Sequence, residues 1–182
     1  MKILDTPLKD VFVIEPKIFE DDRGYFFEAS NKRNEKGTVL EKYEWVQENQ
    51  SQSAKGVLRG LHFQEGAYAQ SKLVRVISGE VFDVAVDLRV NSDTYGQWHG
   101  LVISAANKRQ YLIPRGFAHG FLVLSDEAVF QYKCDNYFAP EYDSGIRYDD
   151  PDLNIKWPKL DVPYQLSEKD QRLQRFTEAY KF

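Results

Sequence analysis

The chain has almost no cysteine: Cys134 is the only one among 182 residues. No intramolecular disulfide can form, a cysteine-ligated zinc site is excluded, and a reducing cytoplasm fits. An excess of positive charge is also missing, since 24 Lys and Arg stand against 28 Asp and Glu for a net charge of −4. The chain as a whole therefore has no pull on nucleic acid or an anionic membrane, and an anionic small molecule must meet local arginines and lysines. Long apolar runs are missing too. The longest near the start, Val11-Phe12-Val13-Ile14, ends at Glu15-Pro16, so the sequence reads as having neither signal peptide nor membrane span. Repeats and low-complexity tracts are absent.

What is present is 42% hydrophobic and 14% aromatic, with eleven glycines and seven prolines scattered throughout. That composition predicts one folded, turn-rich, β-dominated domain over residues 1–182. Val11–Ile14 and Gly24–Glu28 read as strands around the polar turn Glu20–Gly24, and 31–42 as a loop or weak short helix. Trp45–Asn49 alternates like a half-buried strand, placing the amides of Gln47 and Asn49 on one face, and Ser51–Gly56 reads as a turn. Lys72–Ile77 and Val81–Leu88, joined at Ser78-Gly79, predict a hairpin. In its second strand Phe82, Val84, Val86 and Leu88 take one face, and Asp83 and Asp87 the other. Trp98–Ser104 adds a strand, Gln110–Pro114 leads into the corner at Arg115–Phe121, and Phe121–Leu124 with Ala128–Cys134 predict a last hairpin. With no helix-length amphipathic segment between them, these short strands imply a sandwich or barrel. Residues 140–163 read as a covering loop, and Ser167-Glu168-Lys169-Asp170 as the start of a helix running toward Phe182.

Candidate chemistry centres on Gly56-Val57-Leu58-Arg59-Gly60-Leu61-His62-Phe63-Gln64, where a guanidinium and an imidazole interrupt an otherwise core-like strand. In a regular strand Arg59 and His62 face opposite ways, so if both serve one site either Gly60 permits a bulge or the phosphate site curls round the strand edge. Pro114-x-Gly116-x-x-His119 turns a corner that delivers a second imidazole onto a strand. Phe130, Tyr132 and Cys134 share a face, which sets the Tyr132 hydroxyl among apolar neighbours.

Taken together, these residues resemble the dTDP-4-dehydrorhamnose 3,5-epimerase family, metal-free enzymes with a cupin-type jelly roll. The resemblance rests on Asp22–Glu28, Val46–Asn49, Gly56–Gln64, Gln70–Val76, Gly79–Arg89, Ile113–Phe121 and Gln131–Cys134, spread in order over about 10–170. It implies an all-β double-stranded β-helix with a short C-terminal helix, no cofactor or metal, and a homodimer that exchanges strands. It further implies His62 as proton acceptor, Tyr132 as proton donor, Asp170 as the carboxylate orienting His62, and Lys72 beside the sugar's keto oxygen. Arg23 and Arg59 match diphosphate ligands, and Glu28, Gln47, Asn49, His119, Asp143 and Lys169 match other substrate contacts. Arg23 and Glu28 are expected to serve the neighbouring subunit. Asp143 stands where the family more often has Glu, and Asp93 where Pro is common.

The implied chemistry suits the residue types. A hexose with a ketone at carbon 4 has acidified C–H bonds at carbons 3 and 5, and inversion needs a base, an acid on the other face, and a cation for the enolate. An aromatic, with Phe26 the first choice by type, is expected to stack on the thymine. Three alternatives are weighed: an epimerase inverting a single carbon, a metal-dependent cupin, suggested by the Pro114–His119 corner but with Gln64 where a His-x-His pair needs a second imidazole and His99 the only other histidine, and a non-catalytic sugar-nucleotide module.

Overall fold

The structure is a computed structural model that describes residues 1–182. In chain order its strands are β1 (Lys2–Asp5), β2 (Phe12–Glu15), β3 (Phe19–Asp21), β4 (Gly24–Phe26), β5 (Gln47–Ala54), β6 (Leu58–Gln64) and β7 (Lys72–Ser78). These are followed by β8 (Glu80–Asp87), β9 (Trp98–Ser104), β10 (Gln110–Ile113), β11 (Phe117–Val123), β12 (Glu127–Cys134) and β13 (Asp143–Gly145). Two one-turn helices, α1 (Lys32–Glu35) and α2 (Glu168–Gln171), complete the regular structure with a few 3₁₀ turns.

Antiparallel pairing builds a six-stranded sheet ordered β1-β2-β10-β7-β12-β5 and a five-stranded sheet ordered β13-β6-β11-β8-β9. Between them lies the main core, where Val74, Val76, Tyr111, Ile113 and Phe130 of the first sheet meet Val81, Ala85, Phe117, Phe121 and Val123 of the second. Burying large apolar side chains such as these stabilises the fold by roughly 1.5–3 kcal/mol each. The outer face of the five-stranded sheet is apolar as well. Leu61, Phe63, Val84, Val86 and Ala118 pack under Ile146, Leu153, Trp157 and Ala179 of the C-terminal segment. That covering role is the one expected for 140–163, although Asp143–Gly145 also pairs with β6 as an edge strand. This is the all-β sandwich that the spacing of short strands implied, in the jelly-roll form that the resemblance implied.

The two predicted hairpins do not form. β7 pairs with β10 and β12, whereas β8 pairs with β9 and β11, so the chain steps from one sheet to the other at Gly79. β11 and β12 part in the same way. The two crossings are tied together, because Glu80 N–H donates to Ser125 Oγ (2.8 Å). A Cβ on Gly79 would stand 2.0 Å from the Glu127 carbonyl oxygen, which explains why this corner takes only glycine. Turn chemistry marks where a strand ends but carries no information on which sheet receives the next one.

Other boundaries differ for the same non-local reason. The segment Ser51–Ala54, read as a turn, continues β5, because its backbone pairs along β12 from Gln47↔Cys134 to Ala54↔Glu127. The strand at Gly24 pairs not with β2 but with β3, inside the stretch read as a turn, and forms a separate hairpin. The C-terminal helix stops after one turn. Ser167 caps it as expected, accepting from Asp170 N–H (3.1 Å), but the Gln174 carbonyl then accepts from Arg147 N–H (2.9 Å), drawing the chain out into an extended path.

Candidate active site

Strands of both sheets border a cavity of about 540 Å³ that includes Asn49, Arg59, His62, Lys72, His119, Tyr132, Lys169 and Asp170 in its lining. Residues scattered over 122 positions of chain converge here because β5, β6, β7, β11 and β12 all run past this opening and α2 closes it from the side.

Of the two arrangements open to Arg59 and His62, the bulge at Gly60 is present. His62 pairs with His119 and Arg59 with Phe121, so two residues of β6 face the single Gly120 of β11. Gly60 adopts φ +116, and a Cβ there would meet Gly120 Cα at 2.6 Å. The slip brings Arg59 and His62, three residues apart, onto one cavity. Arg59 Nε donates to Ser53 Oγ (3.0 Å), and no carboxylate pairs with its guanidinium, so its positive charge is available to an anion.

His62 Nε2 lies 2.5 Å from Asp170 Oδ1, with the imidazole 29% and the carboxylate 4% exposed. Burial pushes the Asp170 carboxyl up, but His62 beside it more than offsets this and holds it below the usual carboxylate range. An ionised Asp170 accepts the Nε2 proton and leaves the lone pair on His62 Nδ1. Across the cavity, the Tyr132 ring packs against Phe130 with Lys72 Nζ 5.8 Å from its centroid. Burial raises the Tyr132 phenol and lowers the Lys72 ammonium from their ordinary values. The phenol therefore stays a proton donor across neutral pH. Asp143 forms an ion pair with Lys169, and both border a side recess of about 150 Å³ that also touches His62, Lys72 and Tyr132.

The remaining expected residues lie outside this cavity. Gln47 shares its strand face with Asn49, as read from the alternation, and donates to Asn49 Oδ1 (3.0 Å) while accepting from Phe138 N–H (3.0 Å). Arg23, 89% exposed, pairs with Asp21, and Glu28 accepts from Asn31 and Asn34. Phe26, expected to stack on a base, sits 65% exposed on the β3–β4 hairpin away from the cavity. His99 spends Nδ1 on the Tyr111 hydroxyl (2.9 Å). No group of three histidine, cysteine or carboxylate side chains is arranged to hold a metal ion.

Sequence reasoning placed Asp83 on a strand face but gave it no role. The structure buries it completely with both carboxylate oxygens on His119 Nε2, at 2.9 and 3.0 Å. The signal available was an aspartate in an otherwise apolar strand, in phase with the inward-facing Val81 and Ala85.

A family model described as dTDP-4-dehydrorhamnose 3,5-epimerase matches residues 5–178. The dTDP-4-dehydrorhamnose 3,5-epimerase of Shigella flexneri is 51% identical over 182 residues, covering 100% of this chain and 99% of its own. That of Methanothermobacter thermautotrophicus is 53% identical over 171 residues, 93% of this chain and 91% of its own. Among solved structures, dTDP-6-deoxy-D-glucose-3,5-epimerase from Legionella pneumophila in complex with dTDP-4-keto-L-rhamnose superposes with a TM-score of 0.93 at 47% identity, over 97% of this chain and 93% of that one.

Proposed function

This chain belongs to the dTDP-4-dehydrorhamnose 3,5-epimerase family, and from that premise we propose that His62 and Tyr132 carry its proton transfers from opposite sides of the bound sugar. It is an isomerase with a cupin-type fold, acting in dTDP-rhamnose biosynthesis. It inverts carbons 3 and 5 of dTDP-4-dehydro-6-deoxy-D-glucose to give dTDP-4-dehydro-L-rhamnose.

His62 Nδ1 takes the proton from carbon 3 or 5, and Asp170 steadies the imidazolium through Nε2. The electron pair moves onto the carbon-4 oxygen, which the Lys72 ammonium faces. Tyr132 returns a proton from the other face, and the second carbon repeats the cycle. No step changes an oxidation state, so the scheme calls for no nicotinamide, flavin or metal. Arg59 holds the diphosphate, with Asn49, His119, Lys169 and Asp143 as further substrate contacts and Gln47 holding the Asn49 amide from outside the cavity. The observation that carries this assignment is that the His62–Asp170 pair, Lys72 and Tyr132 line one cavity.

Arg23 and Glu28 fit this scheme as contributions to a neighbour's cavity in a homodimer. Support comes from their distance from the cavity of their own chain and from the exposed apolar surface of their hairpin, where Phe19, Tyr25 and Phe26 are 52%, 54% and 65% exposed. No helix is long and apolar enough to cross a membrane. A lone buried thiol, Cys134, supports placing this single-domain enzyme in the cytoplasm.

Incubation with dTDP-4-dehydro-6-deoxy-D-glucose in heavy water tests the mechanism. Deuterium should enter carbons 3 and 5, and His62→Asn should abolish both while leaving dTDP affinity unchanged. Exchange that survives in His62→Asn would remove His62 as the base.

A further inference from the structure

His62 and Asp170 are not the only imidazole and carboxylate at the cavity. His119 is the cross-strand partner of His62, and it too turns Nε2 onto a buried aspartate. The two carboxylates come from different elements, Asp170 from α2 and Asp83 from β8, the strand that pairs with β11. His119 is clamped between neighbours, with the Phe130 ring stacked near it at 6.0 Å and 22°.

From this geometry we infer that Asp83 is a positioning residue: it fixes the Nε2–H form of His119, so that Nδ1 presents a lone pair to the cavity and accepts a hydrogen bond from a sugar hydroxyl. Four observations support this. A carboxylate with both oxygens at about hydrogen-bond distance from one ring nitrogen requires a proton on that nitrogen. His119 Nδ1 has no hydrogen-bond partner in the protein, yet it is not among the sealed, unpartnered polar atoms, so it is open to the cavity that His119 lines. The titratable groups facing this imidazole are Asp83, Lys72 and His62; burial pushes the Asp83 carboxyl above its ordinary pKa, with His119 and then Lys72 beside it pulling the other way, and burial holds the imidazole itself below its ordinary pKa, in the neutral form. Finally, a 4-keto-6-deoxyhexose linked through carbon 1 has free hydroxyls only on carbons 2 and 3, which limits the donor to those two.

This inference rests on the epimerase reading, and the test separates the two. Protein labelled with ¹⁵N-histidine, with His119→Asn used for assignment, should show a protonated Nε2 and a bare Nδ1 at residue 119. Deuterium entry at carbon 5 is then followed with the parent substrate and with its 2-deoxy and 3-deoxy analogues. Wild type should lose about tenfold in kcat/KM, the worth of one ordinary hydrogen bond, with one analogue and not the other. Asp83→Leu should lose that discrimination and mix the His119 tautomers, and in Asp83→Asn, whose amide can either accept from Nε2–H or donate to a bare Nε2, the discrimination should follow the tautomer that the spectrum shows. Affinity for dTDP checks that each variant is folded. A proton on Nδ1 in wild type, or discrimination that is the same in wild type and Asp83→Leu, would overturn the inference; if Asp83→Leu does not fold, the wild-type spectrum and analogue series decide it. Absence of exchange with the parent substrate in wild type would instead refute the epimerase mechanism.

Discussion

Replacing Asp170 with asparagine keeps the shape of the His62 partner and removes its charge. In wild type the carboxylate stands 2.5 Å from Nε2 with only 4% of its side chain exposed, so its desolvation is already built into the fold. When His62 takes a proton, the new imidazolium is attracted to it by about 1.7 kcal/mol at the dielectric constant of water and about 6.6 kcal/mol at an effective value of 20, for the 2.5 Å separation. An imidazole that is 29% exposed lies between these limits, and about 3 kcal/mol corresponds to a loss of roughly 10² in kcat. Asparagine also allows the amide N–H to donate to Nε2, which forces the proton onto Nδ1 and blocks the base. The assay is deuterium entry at carbons 3 and 5 followed by NMR, alongside dTDP affinity. The expected result is a loss near 10² at both carbons with dTDP binding unchanged. An Asp170→Asn enzyme within about threefold of wild type would refute the assignment of Asp170. The same pair makes a stability statement. Because the folded pKa of Asp170 lies below the 3.8 of a free carboxyl, the stabilisation is complete above 3.8 and disappears as pH falls through the folded value. Asp170→Asn should therefore cost stability at pH 7 and progressively less in the window below 3.8.

Tyr132→Phe should still exchange deuterium, because His62 can remove and return a proton on one face, while inversion falls by roughly 10²–10⁴; equal loss of both would show that the phenol is not the donor. Lys72 must be charged to act, and burial lowers its pKa from 10.5 whereas that of Tyr132 is raised above 10.0, so the alkaline limb of kcat/KM belongs to Lys72 and falls below pH 10.5. Lys72→Arg should move that limb upward whatever its effect on rate, and a limb that stays in place would contradict the assignment. Gly60→Ala forces a Cβ to within 2.6 Å of Gly120 Cα at φ +116 and should lower stability by more than about 1 kcal/mol. Thermal unfolding together with dTDP affinity would check it, since the same shift displaces Arg59.

Much of this protein is local in character and was readable from residue order. The run Trp98–Ser104 was located as a strand at its observed ends, and the mismatch between Arg59 and His62 left two solutions, of which the fold takes the bulge at Gly60. The run of motifs from Asp22 to Cys134 carried the family, because each joins a chemical group to a backbone constraint that leaves few substitutes. What the sequence could not determine was partnership at a distance. Ser78-Gly79 and Ser125–Glu127 look like hairpin turns but are crossings between sheets, because β8 pairs with the later strands β9 and β11 and β12 with the earlier strands β5 and β7, none of them the strand across the turn. Likewise Asp170 reaches His62 across 108 residues, and Asp83 faces His119 only because β8 and β11 lie side by side with Asp83 in register with Phe121. A turn is specified by the few residues in it, whereas the protonation state of an imidazole depends on which carboxylate the whole fold brings against it.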